Sequence, residues 1–212
     1  AVSHAGASSQ IKVKVHSIHS EHLDLSNVEE QLKGLDGIII APSFGERGIQ
    51  GKIDAIRYAR ENNIPFLGIC LGMQMAVIEH ARNIAGISGA NSTEMDEACS
   101  EPVISIMEEQ KTIEDKGGTM RLGAWKCVLT KGSLAETIYG ENEIEERHRH
   151  RYEFNDAYRK ILEDSGLKAT GVNPKTGLVE VVENTAHPWF VGVQYHPEYK
   201  STILTQHPLY IT

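Results

Sequence analysis

The chain has 212 residues, of which 40% are hydrophobic and 24% are charged. These fractions exclude a mostly disordered or fibrous chain and favour one compact domain. The net charge of −8 gives no basic field for nucleic acid. Three cysteines are an odd, sparse set, which predicts reduced thiols in the cytoplasm. The densest apolar runs are too short or too rich in glycine to span a membrane, and the first residues do not resemble a signal peptide, so we expect no membrane partner.

In the first 34 residues, the alternation of apolar and charged residues over Ile11–Val15 predicts a half-buried strand. A short helix is predicted over 24–34, with Ser26 and Glu29 as its capping box. Apolar runs bounded by Gly or Pro then alternate with runs of helical periodicity. They predict strand, helix, strand and helix over 37–41, 51–63, 65–70 and 71–82. This order implies parallel strands joined by right-handed crossovers.

The second half is less regular. Residues 88–123 are charged and rich in turn formers, which predicts loops. Later strands are predicted near 125–129, 168–172, 178–183 and 189–195. The expected fold class is therefore α/β, with a mixed, largely parallel open sheet flanked by helices in one domain over 1–212.

The strongest local motif is Gly68-Ile-Cys70-Leu-Gly72, at the end of an apolar strand and the start of a helix. Small residues on both sides of a nucleophile are typical of a nucleophile elbow, whose sharp turn crowds the backbone. The helix N-terminus would favour a thiolate, and the Leu71 N–H would be an oxyanion donor. The alternative is a small buried cysteine packed by two glycines.

A second motif is Gln194-Tyr-His196-Pro-Glu198. Side chains two apart on an extended segment point to the same side, so Glu198 could hold one tautomer of His196. Pro197 should end the strand and place the pair at a carboxyl edge, where open α/β sheets bind ligands. Taken alone, the motif favours the simpler interpretation, a surface His and Glu pair at a strand exit.

Four further segments accompany these motifs, namely 91–94, 117–123, 146–153 and 187–190. Together they resemble the class I (triad) glutamine amidotransferases, and most closely the C-terminal glutaminase domain of the CTP synthase family, from about Gly34 to Leu209. The resemblance implies a flavodoxin-like fold. It also implies that Cys70 is the nucleophile, that His196 is the base and acid, and that Glu198 orients His196.

The resemblance further implies a set of glutamine contacts, with Arg151 on the substrate carboxylate and Glu94 on its ammonium. The full set is Ser43, Leu71, Gly72, Met73, Gln74, Glu94 and Arg151. The expected reaction releases ammonia from L-glutamine through a Cys70 thioester, without a cofactor or metal in this domain. A synthetase domain would use the ammonia and Mg-ATP to convert UTP to CTP, with GTP as activator, in a homotetramer.

The sequence departs from the family in two ways. The family has Gly where Pro42-Ser43-Phe44-Gly45 has Ser43, and the N–H of that Gly is the other oxyanion donor. Because Ser lacks the freedom of Gly at positive φ, we predict a slowed or conditionally active glutaminase. The synthetase domain, the strand before the Ala1–Gly6 helix and the final helix are also absent from this sequence. We therefore expect weak hydrolysis of glutamine and no CTP formation without the other domain.

Two alternatives remain at this stage. One is a non-catalytic assembly or regulatory module, disabled by Ser43. The other is a γ-glutamyl hydrolase or a different class I amidotransferase.

Three other features favour simpler interpretations. The histidines that recur every three residues from His16 to His22 lie on a strand end and a polar loop, so we expect no metal site there. The basic run Arg147–Arg151 is flanked by glutamates, which favours a small anionic ligand over nucleic acid. Cys99 and Cys127 lack an elbow and are predicted to be spectators.

Overall fold

The computed structural model describes residues 1–106 and 120–212. Its first helices and strands are α1 (Val2–Ser8), α2 (Val28–Leu32), β1 (Ile38–Ile40), α3 (Ile49–Glu61), β2 (Phe66–Ile69), α4 (Leu71–Asn83), β3 (Ala90–Ser92) and β4 (Glu101–Ile106). They are followed by β5 (Arg121–Leu129), α5 (Leu134–Tyr139), β6 (Glu143–His150), β7 (Tyr152–Phe154), α6 (Arg159–Asp164), β8 (Leu167–Val172), β9 (Val179–Asn184) and β10 (Phe190–Val193). None of the helices in these ranges is long and apolar enough to cross a membrane.

A seven-stranded sheet of order β1-β2-β10-β9-β8-β5-β6 forms the centre of the fold, and β3-β4-β7 form a second sheet. The predicted mixed α/β class is confirmed, but the sheet is not largely parallel as expected, since four of its six strand pairings are antiparallel. The parallel part comprises β1, β2 and β10, while β9, β8, β5 and β6 continue the sheet in antiparallel pairs. The parallel strands therefore end together at one edge, which is where the candidate site lies.

The two faces of the sheet are buried in separate apolar clusters. Phe66 and Phe190 lie in one cluster and stack with ring centroids 4.3 Å apart. Their neighbours Leu67 and Val191 point into the other. This alternation follows from the two-residue period of a strand. Because both faces of β2 and β10 are covered, these two strands hold whatever follows them in a rigid position.

The prediction of a strand at Ile11–Val15 is wrong. These residues form no regular element, and Ile11 and Val15 are each 65% exposed. An alternating pattern yields a strand only when another strand supplies hydrogen bonds. No strand in the described part of the chain pairs with this segment, and the Ile11 N–H donates to the Gly6 carbonyl at 2.8 Å instead. The helix predicted over 24–34 is confined to Val28–Leu32. Ser26 bonds Asp24 instead of forming the capping box.

The prediction of loops over 88–123 is only partly right. Strands β3 and β4 lie inside this range and β5 begins at Arg121. Residues 117–119 of the motif at 117–123 lie outside the described residues. Strand β6 has no counterpart among the predicted strands, although its residues are alternately buried and exposed. Of the four buried residues, Ile144 is apolar, whereas Glu146, His148 and His150 are charged or histidine, so the apolar alternation that marks a strand is largely missing.

Candidate active site

Cys70 occupies a sharp turn between β2 and α4. Its backbone has φ 53° and ψ −104°, a positive-φ conformation that is unusual for a residue with a side chain. A Cβ on Gly68 would lie 2.7 Å from the Gly72 carbonyl carbon, and a Cβ on Gly72 would overlap the Ile40 carbonyl. The glycines are thus required by close packing, as the elbow motif predicts. The Cys70 N–H donates to the Val193 carbonyl at 2.7 Å, which ties the turn to β10.

The sulfur of Cys70 lies in a desolvated position, because the residue is only 3% exposed. Burial is the largest of the effects that raise the pKa of this thiol to about 12. The Leu71 N–H, which bonds the sulfur, lowers the pKa, whereas the carboxylates of Glu94, Glu153 and Glu198 raise it further. Cys70 is therefore a neutral thiol at pH 7, and a base must remove its proton before it can attack.

A base lies at the end of the adjacent strand. The Nδ1 atom of His196 is 2.6 Å from Oε1 of Glu198, so the carboxylate accepts the Nδ1 proton. The Nε2 atom is buried and has no hydrogen-bond partner within the described part of the chain. Tyr199 stacks on the imidazole, with ring centroids 4.8 Å apart. This arrangement leaves Nε2 as the atom able to accept a proton.

The predicted contact between His196 and Glu198 is present, but the expected extended backbone is not. Strand β10 ends at Val193, and Pro197 begins a turn of 3-10 helix over Pro197–Lys200. The fixed φ of proline suits the first residue of a helical turn, and the turn folds the carboxylate back to the ring. The His196 N–H donates to the Arg147 carbonyl at 2.8 Å, so β6 also holds the base in place.

The parallel pairing of β2 and β10 brings the two motifs to one rim. Val193 lies opposite Ile69 in the register, so Cys70 and His196 leave the same edge of the sheet on neighbouring strands. Gln194, the first residue of the second motif, approaches the elbow, with its Nε2 atom 3.8 Å from the Cys70 sulfur. The fold therefore places together two motifs that lie far apart in the sequence.

A cavity of about 260 Å³ opens beside the elbow. It is lined by Ser43, Phe44, Cys70, Leu71, Gln74, Glu94, Met120, Arg149, His150, Arg151 and Tyr152. Six of the predicted site residues are in this lining. The other four are not: Gly72 packs on Ile40, Met73 is fully buried, and His196 and Glu198 lie outside the lining.

Sequence reasoning named five of the lining residues in no glutamine contact, although it assigned the run Arg147–Arg151, which contains Arg149 and His150, to a small anionic ligand. Phe44, Arg149, His150 and Tyr152 adjoin predicted contacts in the chain, and they lie in or beside segments that carry the family resemblance. No periodicity marks them as site residues. Met120 follows the residues that are not described, and it lies in the segment 117–123 that carries the family resemblance, although no contact was predicted for it.

Opposite charges face each other across the cavity. Glu94 accepts a hydrogen bond from the Gly45 N–H at 3.3 Å. Burial raises the pKa of Glu94, and the Gly45 N–H and Arg151 lower it in part. A cavity lined by one carboxylate, Glu94, and two guanidinium groups, Arg149 and Arg151, beside a thiol matches a small zwitterion with an electrophilic side chain.

Behind the cavity, a buried polar network supports β6. The His150 and His148 rings are joined by a 2.8 Å hydrogen bond. Arg121 pairs with Glu180 and also lies 3.5 Å from Glu153. Burial, followed by the charge of Arg121, lowers the pKa of His150 to about 3, so its ring is neutral at pH 7. This network fixes the strand that carries Arg149 and His150 into the lining.

Ser43 lines the cavity without adopting the left-handed conformation. Among the described residues, positive φ at a non-glycine position occurs at Gln10, Asn63 and Cys70. The hydroxyl of Ser43 is buried and has no hydrogen-bond partner within those residues. The predicted effect of Ser43 on activity thus depends on whether its peptide must turn over during the reaction.

Comparisons with known proteins agree with this geometry. A family model described as "Glutamine amidotransferase class-I" matches residues 1–211. The CTP synthase of Flavobacterium psychrophilum is 67% identical over 209 residues, which cover 99% of this chain and 39% of that protein. The CTP synthase of Cytophaga hutchinsonii is 58% identical over 208 residues, which cover 98% and 39%. The chain thus spans about 39% of the length of these curated relatives.

Among solved structures, the chain is similar to the glutaminase domain of Trypanosoma brucei CTPS with bound acivicin. The TM-score is 0.93 at 39% identity, and the match covers 99% of this chain and 82% of that one. A glutamine amidotransferase from Methylobacillus flagellatus has a TM-score of 0.57 at 13% identity, covering 92% of this chain and 63% of that one. That second likeness shows the fold alone.

Proposed function

The chain belongs to the class I glutamine amidotransferase family, and on that premise we propose that it hydrolyses L-glutamine to glutamate and ammonia. The observation that carries the proposal is the cavity that joins the Cys70 sulfur to Glu94 and Arg151. Arg151 would bind the substrate carboxylate and Glu94 the ammonium. The side-chain amide would then extend toward the sulfur. Ser43, Leu71 and Gln74 would contact it from the lining, with Gly72 and Met73 as predicted contacts outside it.

In the proposed mechanism, His196 Nε2 removes the proton from Cys70 and the sulfur attacks the amide carbon. Backbone N–H groups at Leu71 and Ser43 stabilise the oxyanion of the tetrahedral intermediate. The C–N bond breaks, and the leaving amine takes the proton from His196 and departs as ammonia. His196 then removes a proton from water, which attacks the thioester, and the released thiolate regains its proton. Glu198 supports the charged imidazole during both steps.

Because the chain spans about 39% of its CTP synthase relatives, the fate of ammonia is a further proposal. We infer that a synthetase domain accepts it and aminates UTP in an ATP-dependent reaction. Mg-ATP and the activator GTP would act with that domain, in a tetramer, in the cytoplasm. In the part of this chain that is described, no group of three or more His, Cys, Asp or Glu residues is placed to hold a metal ion.

The test is ammonia and glutamate release from L-glutamine, with Cys70→Ala as the loss-of-function variant. Cys99→Ala is the matched control, because Cys99 is half-buried and outside the cavity. We expect the wild type and Cys99→Ala to release both products at the same rate and Cys70→Ala to release neither. Equal rates in all three proteins would contradict the proposal.

Labelling with acivicin separates catalysis from a purely structural role. The CTPS structure similar to this chain contains this compound. We expect one adduct on the wild type and none on Cys70→Ala, as measured by intact-protein mass. A folded wild type that neither reacts with acivicin nor releases ammonia would instead support the non-catalytic module.

A further inference from the structure

Gln194 is a buried polar residue that the mechanism above does not use. It directly follows β10, and its exposed fraction is 0%. Its backbone N–H donates to the Glu180 carbonyl at 2.8 Å, which fixes its main chain beside β9. Its side-chain Nε2 lies 3.8 Å from the Cys70 sulfur, and its Oε1 accepts from Gln74 Nε2 at 3.2 Å. The amide thus bridges the elbow to α4.

The direction of this amide is set by Gln74. Nε2 of Gln74 also donates to the Tyr152 carbonyl at 2.9 Å, so both of its hydrogens are engaged. Gln194 must present its oxygen to that donor, because two NH2 groups facing each other would leave one unsatisfied in a buried place. The NH2 group of Gln194 is then left to face sulfur.

Sulfur needs such a donor because of what surrounds it. The acidic groups near Cys70 are Glu94, Glu153 on β7 and Glu198 in the turn after β10, and each of them opposes a negative charge on the sulfur. The backbone N–H of Leu71 is one compensating donor. An amide N–H is neutral and already oriented, so it can stabilise the anion without a reorganisation of the site.

We propose that Gln194 is a further catalytic residue, whose side-chain N–H donates a hydrogen bond to the Cys70 thiolate. Gln74 is the positioning residue that holds the amide in this orientation. The inference rests on the proposed function, since it concerns the same nucleophile. The Nε2–sulfur distance of 3.8 Å is long for a hydrogen bond, and we expect it to shorten when the sulfur is ionised.

The test measures alkylation of Cys70 by iodoacetamide without glutamine, between pH 6 and pH 10, by peptide mass spectrometry. Gln194→Met keeps the length of the side chain and removes the donor. Because a hydrogen bond to a charged group is strong, we expect about tenfold slower alkylation across this range, equal to a pKa about one unit higher. Gln31→Met, an exposed position on α2, should match the wild type. A Gln194→Met profile that coincides with the wild-type profile would overturn the inference.

A second variant covers the case in which Gln194→Met does not fold. Gln194→Glu is nearly isosteric, and its carboxylate would repel the thiolate. The rate of Cys70 alkylation in this variant, relative to the wild type, should therefore decrease as the pH rises. If both variants unfold, the side-chain NH2 resonance of Gln194 is followed in the wild type by NMR. It should shift when Cys70 is alkylated, and an unchanged resonance would contradict the inference.

Alkylation and hydrolysis are measured on the same protein, so the two proposals can fail separately. If the wild type hydrolyses glutamine and Gln194→Met keeps the wild-type alkylation profile, only the proposed role of Gln194 is refuted. If the wild type releases no ammonia, the proposed glutaminase function is refuted. The alkylation profiles then still show whether Gln194 stabilises the Cys70 thiolate.

Discussion

The catalytic rim and the recognition wall of the cavity are built in different ways. The rim consists of Cys70, Gln194 and His196, which follow core strands and are at most 3% exposed. The wall includes Phe44, which is 57% exposed, and Arg151, which is half-buried between β6 and β7. The groups around the sulfur are thus fixed by core packing, whereas the wall combines buried residues such as Gln74 with the more exposed Phe44 and Arg151.

This difference predicts that substitutions at the rim and substitutions at the wall affect different kinetic constants. A rim residue acts on the transition state, so its loss should lower kcat. A wall residue binds the parts of the substrate that do not react, so its loss should mainly raise KM.

The largest effect is expected at the base. His196→Asn should lower kcat for glutamine hydrolysis about a thousandfold, because the proposed mechanism assigns the thiol proton to Nε2 of His196. His22→Asn is a matched control, since His22 is exposed and lies outside the cavity. Steady-state ammonia release from both variants checks this. A loss of less than tenfold in His196→Asn would place the base elsewhere.

A smaller effect is expected at the wall. Arg151→Lys removes the two-pronged guanidinium, and KM for glutamine should rise about tenfold to a hundredfold with kcat changed much less. Arg147→Lys serves as the control, because the Arg147 side chain is on the exposed face of β6. A fall in kcat with an unchanged KM would mean that the rim and the wall are not separate.

A substitution in the loop that carries Ser43 should increase the rate of glutamine hydrolysis. Ser43→Gly is expected to speed hydrolysis about fivefold or more, if the peptide must turn over to aim its N–H at the oxyanion. Gly45→Ala is the opposing variant: Gly45 has φ 77° with open space around it, so Ala introduces strain there without a clash. Rates measured at saturating glutamine decide the point, and a Ser43→Gly variant no faster than the wild type would refute it.

The smallest effect is expected where the rim meets solvent. Lys200 donates to the Glu145 carbonyl at 2.6 Å and lies 3.6 Å from Glu146. Because Lys200 is half exposed, Lys200→Met should change the free energy of unfolding by about 1 kcal/mol or less and kcat by about twofold at most. Urea denaturation and ammonia release measure both quantities. A tenfold loss of kcat would show that the surface contact, as well as the core strands, positions His196.

Much of the fold near the site was predictable because local patterns determine it. The apolar runs of β2 and β10 and the helical periodicity of α3 and α4 each depend on residues close in sequence. The same patterns failed at 11–15, where the alternation has no neighbouring strand among the described residues. They also failed at β6, whose buried face is polar and is stabilised by partners from other elements, such as Arg121 and Glu180 beneath His148.

The sequence by itself determined that Cys70 would stand on an elbow, because Gly68 and Gly72 are the small residues that such a turn requires. The spacing, with only Pro197 between them, also predicted contact between Glu198 and His196, although a 3-10 turn rather than an extended strand makes it. Only the tertiary structure decided that these groups share a rim, through the parallel register of β2 and β10. It also placed Gln194 against sulfur and Glu94 across from Arg151. The physical reason is that strand pairing and burial join residues that no local pattern connects.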